Sequence, residues 1–125
     1  MLVDKVIVVG GGLAGVSACH TVLENGGSVI LLDKSPFLGG NSTKATSGFN
    51  AAYTKSQMNN NVKDSWEDFA KDIYKSANLG KSEQEYELGR ILAEESDPAY
   101  EWLTKCFKID LSLVSRLGGH SSDRT

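Results

Sequence analysis

Apolar residues change their spacing along the chain, and the changes divide it. Val6-Ile7-Val8-Val9 and Val29-Ile30-Leu31-Leu32 are short continuous apolar runs, as expected of parallel strands covered on both faces. Between them, about Ala14 to Glu24 reads as a helix, stopped by Asn25-Gly26-Gly27. Tyr53 to Asp64 is polar, with Asn59-Asn60-Asn61 at its centre, and is expected to be an exposed loop. A helical period follows. Ser65, with Asp68 three residues on, caps a helix whose apolar positions are Trp66, Phe69, Ala70, Ile73, Tyr74 and Ala77, ended by Gly80. Ser82 and Glu85 form a capping box for a second helix to about Glu95, with Leu88, Ile91 and Leu92 inward. Asp97-Pro98 starts a third, Asp97 as its cap and Trp102, Leu103, Cys106 and Phe107 as its buried stripe. Ile109 to Val114 reads as a short extended segment.

The first strand ends at Gly10-Gly11-Gly12-Leu13-Ala14-Gly15, which fits G-x-G-x-x-G at Gly10, Gly12 and Gly15. Each place has its own reason: Gly10 permits the tight turn, Gly12 lets the backbone approach a pyrophosphate, and Gly15 lets helix and strand pack closely. The unpaired amides at the start of the helix, and its dipole, favour an anion there. Asp33 stands at the end of the second strand, eighteen residues after Gly15, where a carboxylate can accept from both ribose hydroxyls of an adenosine. A glycine-rich turn alone is weak evidence. With a strand before it, a helix after it and an acid at the next strand's tip, the dinucleotide reading prevails over a plain surface loop.

Lys34 to Leu38 leads into Gly39-Gly40-Asn41-Ser42-Thr43-Lys44-Ala45-Thr46-Ser47-Gly48-Phe49-Asn50-Ala51-Ala52. A nicotinamide-binding unit has no need of such a run. Small and hydroxyl residues let the backbone lie against a large flat ligand and donate amides to it, which suits an isoalloxazine ring.

On these residues, and on Leu117-Gly118-Gly119-His120-Ser121-Ser122-Asp123-Arg124-Thr125, the chain resembles the soluble fumarate reductase group of the FAD-dependent oxidoreductase 2 family. The resemblance implies an α/β fold: a Rossmann-like FAD-binding unit with a parallel-sheet core, then a helical segment, incomplete as a domain. Residues 1–52 would be the first segment of the FAD-binding domain, and 53–125 its mostly helical continuation, cut before a substrate-capping domain. Carried over, the adenosine and pyrophosphate contacts fall on Gly10, Gly12, Ala14, Gly15 and Asp33, an aspartate where glutamate is more usual. Those along the flavin and ribityl chain fall on Asn41, Ser42, Ser47 and Gly48, and Lys34, Gly40 and Thr43 join the cofactor-binding set. Asn41 takes the place of the histidine that carries covalent FAD in membrane-bound relatives, which implies non-covalent FAD.

The implied reaction is hydride transfer from reduced FAD to fumarate with proton delivery to the neighbouring carbon, giving succinate, with NADH as a possible electron donor. In the family the proton-donating arginine and the dicarboxylate clamp lie beyond the stretch matched here. No residue of this chain is therefore assigned as catalytic, and the expectation is an N-terminal fragment, inactive alone. Two alternatives stay open: a family member acting on another unsaturated substrate, and a non-catalytic remnant.

Composition narrows the classes. The chain has 125 residues, 40% of them hydrophobic, and a net charge of −3, with no basic stripe for nucleic acid. No apolar run has membrane-spanning length, and Met1 lies within a few residues of the first strand, leaving no room for a leader. A soluble intracellular protein, cytoplasmic or mitochondrial, is expected. Cys19 and Cys106 suggest no disulfide framework, and His20 and His120 lack ligand spacing, so no metal is expected. Glu83, Glu85, Glu87, Glu94, Glu95 and Glu101 read as solvated surface. The basic pair His120 and Arg124 leaves two readings open: it faces an anion or the flavin, or it pins its loop by hydrogen bonds.

Overall fold

Two parallel strands cannot be joined by a tight turn, so the segment between them must cross over. β1 (Lys5–Val9) and β2 (Ser28–Leu32) pair in parallel, Lys5 opposite Ser28 through Val9 opposite Leu32, and α1 (Leu13–Glu24) makes the crossover. The computed structural model describes residues 5–45, 48–78 and 82–124, in two compact units, Met1–Ser47 and Gly48–Thr125. In the first, α1 is closed by the Gly27 amide donating to the Val22 carbonyl at 2.9 Å, with Gly26 left-handed. Cys19 is buried. The strands differ from the expectation of burial on both faces: Ile7 is 62% and Val9 82% exposed, because among the described residues of this unit a single helix packs on the two-stranded sheet, and one helix covers one face.

The second unit is helical. The stretch expected to be an exposed loop contains α2 (Lys55–Asn59). Its Thr54 hydroxyl accepts from the Gln57 amide, the Gln57 side chain accepts from the Thr54 amide at 3.1 Å, and Thr54, Ser56 and Gln57 are all buried. α3 (Trp66–Ala77) begins as its sequence implies, the Asp68 amide donating to Ser65 Oγ at 3.2 Å, with Glu67 and Asp68 complementing the dipole. It is closed by Asn78 in the left-handed region, and Gly80 lies outside the described residues. α4 (Glu83–Glu94) takes its cap from Ser82, and α5 (Ser96–Cys106) follows after the single residue Glu95. Asp97 is therefore not the cap of α5. It lies in the first turn with Pro98, where proline's missing amide costs nothing.

The core of this unit is Ala52, Phe69, Ala70 and Ala93, with Ile73 and Tyr74 packed against it. Gly89 in α4 makes room for the Tyr74 ring; a Cβ there would lie 2.3 Å from Tyr74 Cε1. α4 thus faces α3 through Gly89 and Ala93 rather than through its larger residues, and Leu88 and Leu92 are each 60% exposed, with Ile91 also exposed. On α5, Trp102 and Leu103 are half-buried and Cys106 and Phe107 exposed, while Tyr100 is the buried aromatic, its hydroxyl 2.7 Å from Ser56 Oγ. Residues 109–114 form no strand; pairing there is a single antiparallel bridge between Ser115 and Arg124.

Arg124 settles the open reading of the basic pair in favour of pinning. Its buried guanidinium grips Asp64 through two bonds, Nε to Oδ2 at 2.7 Å and Nη2 to Oδ1 at 2.9 Å, and Asp72 Oδ2 through Nη1 at 2.7 Å. It lies 4.4 Å from the Phe69 ring centre and 3.0 Å from His120 Nδ1. The Ser121 amide and hydroxyl also donate to Asp72, each at 2.8 Å. Burial pushes the Asp72 carboxyl up, but the bonds from Ser121 and Arg124 outweigh it and hold it below its ordinary value. Burial likewise opposes the charge of Arg124, and its two aspartates more than restore it.

Removing one partner of a buried pair strands the other charges, so Arg124→Met should lower unfolding stability by about 3 kcal/mol in urea titrations. Asp72 has a lowered folded pKa, so its contribution is complete above the unfolded value, about 3.9, and is lost as pH falls through the folded one. The stability gap between the natural chain and Asp72→Asn should therefore be widest near neutrality and close below about pH 4.

Candidate functional site

Where β1 ends, the chain must leave the sheet and enter α1 within a few residues. Gly10 continues the ladder, its amide donating to the Leu32 carbonyl at 2.7 Å, but it does so at a φ of 104°, which side-chain-bearing residues rarely adopt. α1 starts with Gly12 as its N-cap, with no side-chain cap and no acid in the first turn. The leading amides, those of Leu13, Ala14 and Gly15, thus lack any capping side chain or carboxylate and keep their affinity for an anion. Gly15 sits against the strand end: a Cβ there would lie 1.7 Å from the Gly10 carbonyl oxygen. A Cβ on Gly12 would meet nothing within 4 Å, so the space beside that backbone is open.

Asp33 joins this turn to the tip of β2. Its Oδ2 accepts from the Gly11 amide at 2.5 Å and its Oδ1 from the Ser35 amide at 2.7 Å. These two bonds, Ser35 first and Gly11 second, hold the carboxyl below its ordinary value and keep it ionised at neutral pH. Each oxygen retains a lone pair for a further donor. Asp33 lines a cleft of about 260 Å3 with Val9, Gly10, Leu32 and Lys34, beyond the carboxyl ends of the two strands, where open α/β sheets bind ligands.

A third strand-like contact completes the turn. Gly12 and Gly39 form an isolated parallel bridge, and the Gly39 amide donates to the Gly11 carbonyl at 2.7 Å. Gly40, Asn41, Ser42, Thr43 and Lys44 then form one short 3-10 turn. A Cβ on Gly40 would stand 3.4 Å from Gly12 Cα, and Thr43 Oγ1 donates to the Gly40 carbonyl at 2.9 Å.

The structure therefore brings Gly10, Asp33 and Lys34 to one cleft, places Ala14 and Gly15 in the first turn of α1, and sets Gly40 beside Gly12, with Asn41, Ser42 and Thr43 in the adjoining turn. Ser47 lies outside the described residues, and Gly48 opens the second unit. The spacing of the sequence did not reveal Gly39 as the pairing partner of Gly12, nor the amides of Gly11 and Ser35 as partners of Asp33. The Gly39-Gly40 doublet was the available signal. Among the described residues no group of three His, Cys, Asp or Glu side chains is arranged to hold a metal, and no helix is long and apolar enough to cross a membrane.

Residues 5–125 match a family model described as an FAD binding domain. The chain is 48% identical to a fumarate reductase of Schizosaccharomyces pombe, over 97% of this chain and 23% of that protein. It is 42% identical to fumarate reductase 1 of Saccharomyces cerevisiae, over 100% of this chain and 26% of that one. Its fold is similar to the open conformation of a flavocytochrome c3 fumarate reductase, with a TM-score of 0.85 and 38% identity, covering 98% of this chain and 21% of that one. The chain thus spans about a quarter of the length of these proteins.

Gly12 and Gly15, at the start of α1, should behave oppositely on substitution. Gly15→Ala forces backbone apart and should cost about 3 kcal/mol of stability in thermal or urea unfolding. Gly12→Ala, in extended backbone facing open space, should unfold within about 0.5 kcal/mol of the natural chain.

Proposed function

We propose a function from one premise: the chain belongs to the FAD binding domain family. It holds FAD non-covalently, as the adenine-nucleotide end of a flavoenzyme that reduces fumarate or a closely related unsaturated dicarboxylate, with NADH as the source of electrons. The observation that carries this reading is the turn from Gly10 to Gly15. Open space beside Gly12, uncapped amides at the start of α1 and an ionised Asp33 at the mouth of one cleft fit a pyrophosphate followed by a ribose.

In this reading the α1 amides take the pyrophosphate and Asp33 takes the ribose hydroxyls with its remaining lone pairs. Lys34 adds a positive charge at the same cleft. The turn containing Asn41, Ser42 and Thr43 offers hydroxyl, amide and backbone donors to the ribityl chain and flavin. A carboxamide at Asn41 cannot form the bond that a histidine makes to a flavin, so the cofactor is retained by hydrogen bonds and packing alone. Bound FAD supplies hydride chemistry, and the protein's share is binding and orientation. A substrate clamp and a proton donor belong to the remainder of a longer enzyme, and the 125 residues alone turn over no substrate.

Mixed with FAD and freed of excess, the chain should stay yellow and release all its flavin on acid precipitation; colour on the precipitated chain would refute non-covalent binding. Asp33→Ala should weaken FAD binding by at least about tenfold, the worth of hydrogen bonds to a charged acceptor. Gly12→Ala, although folded, should abolish it. Equal affinities in fluorescence titrations of all three would overturn the assignment, and succinate formed from fumarate by the chain with reduced flavin alone would overturn its inactivity.

A further inference from the structure

A second cleft, of about 560 Å3, opens within the helical unit, between α2, the C-terminal half of α5 and residues 108–112. One buried hydroxyl holds its three walls together. Ser56 Oγ of α2 donates to the Leu111 carbonyl at 2.6 Å, and so accepts from the Tyr100 hydroxyl of α5, 2.7 Å away. The walls are therefore fixed by bonds that do not involve the charged side chains around them. Lys108 is held as well: it closes α5 in the left-handed region at a φ of 56°, and the next amide, of Ile109, returns to the Leu103 carbonyl at 3.5 Å.

Five charged side chains line this cleft, Lys55, Lys105 and Lys108 against Glu101 and Asp110. Both carboxylates are already engaged. Glu101 pairs with Lys105, one turn along α5, and Asp110 accepts from the Ser112 amide at 3.0 Å. Lys105 also stands in the last turn of α5, where a positive charge complements the helix dipole. Lys55 and Lys108 have no such role: among the described residues neither forms an ion pair. Two uncommitted ammonium groups thus border one recess, in a chain whose net charge is −3. The local field has the opposite sign to the whole, and it favours an anion.

We propose that this cleft binds a small organic phosphate. The cationic groups are ammoniums, which act on phosphate as point charges, whereas a planar carboxylate is matched best by the arginine fork, and no arginine lines the cleft. The volume lies in the range of small-molecule sites and exceeds what inorganic phosphate would fill. The ligand therefore carries an organic body, for which Ile109 and Leu111 supply apolar surface beside the ammoniums. Binding here needs neither the glycine turn nor FAD, so the inference stands apart from the function proposed above.

Phenyl phosphate, which joins a phosphate to an apolar ring, is the probe, in an amide-resolved NMR titration of the FAD-free chain. Saturable shifts should appear at Lys55 to Asn59, at Thr104 and Lys105, and at Lys108 to Ser112, with a Kd of about 1 mM or below. Added salt should weaken the binding. Lys108→Gly removes one ammonium and places at a left-handed position the residue that favours it, so the variant should melt no lower than the natural chain. Its affinity for phenyl phosphate should nevertheless fall about fivefold, and Lys55→Gln should show a similar loss. Benzoate and inorganic phosphate should each bind more weakly than the probe. Parity with benzoate would overturn the choice of phosphate, and parity with inorganic phosphate would overturn the organic body. Unchanged affinity in both lysine variants, shifts confined to Gly10 to Gly15, or no saturable shift at all would overturn the site itself and leave the proposed function standing.

Discussion

In the first unit the backbone of α1 packs directly against the end of β1, where Gly15 faces the Gly10 carbonyl with no room for even a methyl group. That approach brings the start of the helix to the carboxyl end of the strand, so the α1 amides open where β1 stops. Relax it by a side chain and the uncapped amides, the open space beside Gly12 and the cleft at Val9 and Leu32 no longer share one place. Asp33 reinforces the arrangement from β2 by accepting the Gly11 amide. The same carboxylate both braces the turn and presents charge to the cleft, so structure and candidate chemistry draw on one group.

The second unit is organised by a buried charge cluster. Arg124 ties Asp64, which precedes α3, to Asp72 within it, while Gln57 of α2 donates to Asp64 and to the Asp123 carbonyl at 2.8 and 2.7 Å. A small apolar core of alanines around Phe69 supplies modest burial, and the ionic cluster supplies direction: it fixes which turn of α3 the 120–124 segment meets. Interactions of this kind cost much when one partner is removed and contribute less as intact pairs. The exposed faces of the strands and of α4 are apolar as well.

Much of the first unit was legible because its signals are local. Apolar runs, a glycine triplet at fixed offsets and an acid at a strand tip lie within thirty residues and name a β-α-β unit between Lys5 and Leu32. Helix starts at Ser65 and Ser82 were equally readable, each from a hydroxyl three residues before an acid. α2 is hidden in the sequence although Thr54 and Gln57 carry the capping-box pattern, because the run of asparagines beside it reads as a loop. Periodicity marks the stripe of Leu88, Ile91 and Leu92 as a face without saying what covers it; Gly89 and Ala93 make the close contact instead. Arg124 could not be placed from spacing at all, since its partners lie 52 and 60 residues away.

The most direct test of the central claim is an amide-resolved NMR titration of the chain with FAD. The largest shifts should fall on Gly11, Gly12, Leu13, Ala14 and Gly15, with Lys34 and the Gly40 to Lys44 turn following, and ADP should reproduce those at the glycine turn. Saturable binding of FAD that leaves these amides unmoved, or no binding at all, would contradict it.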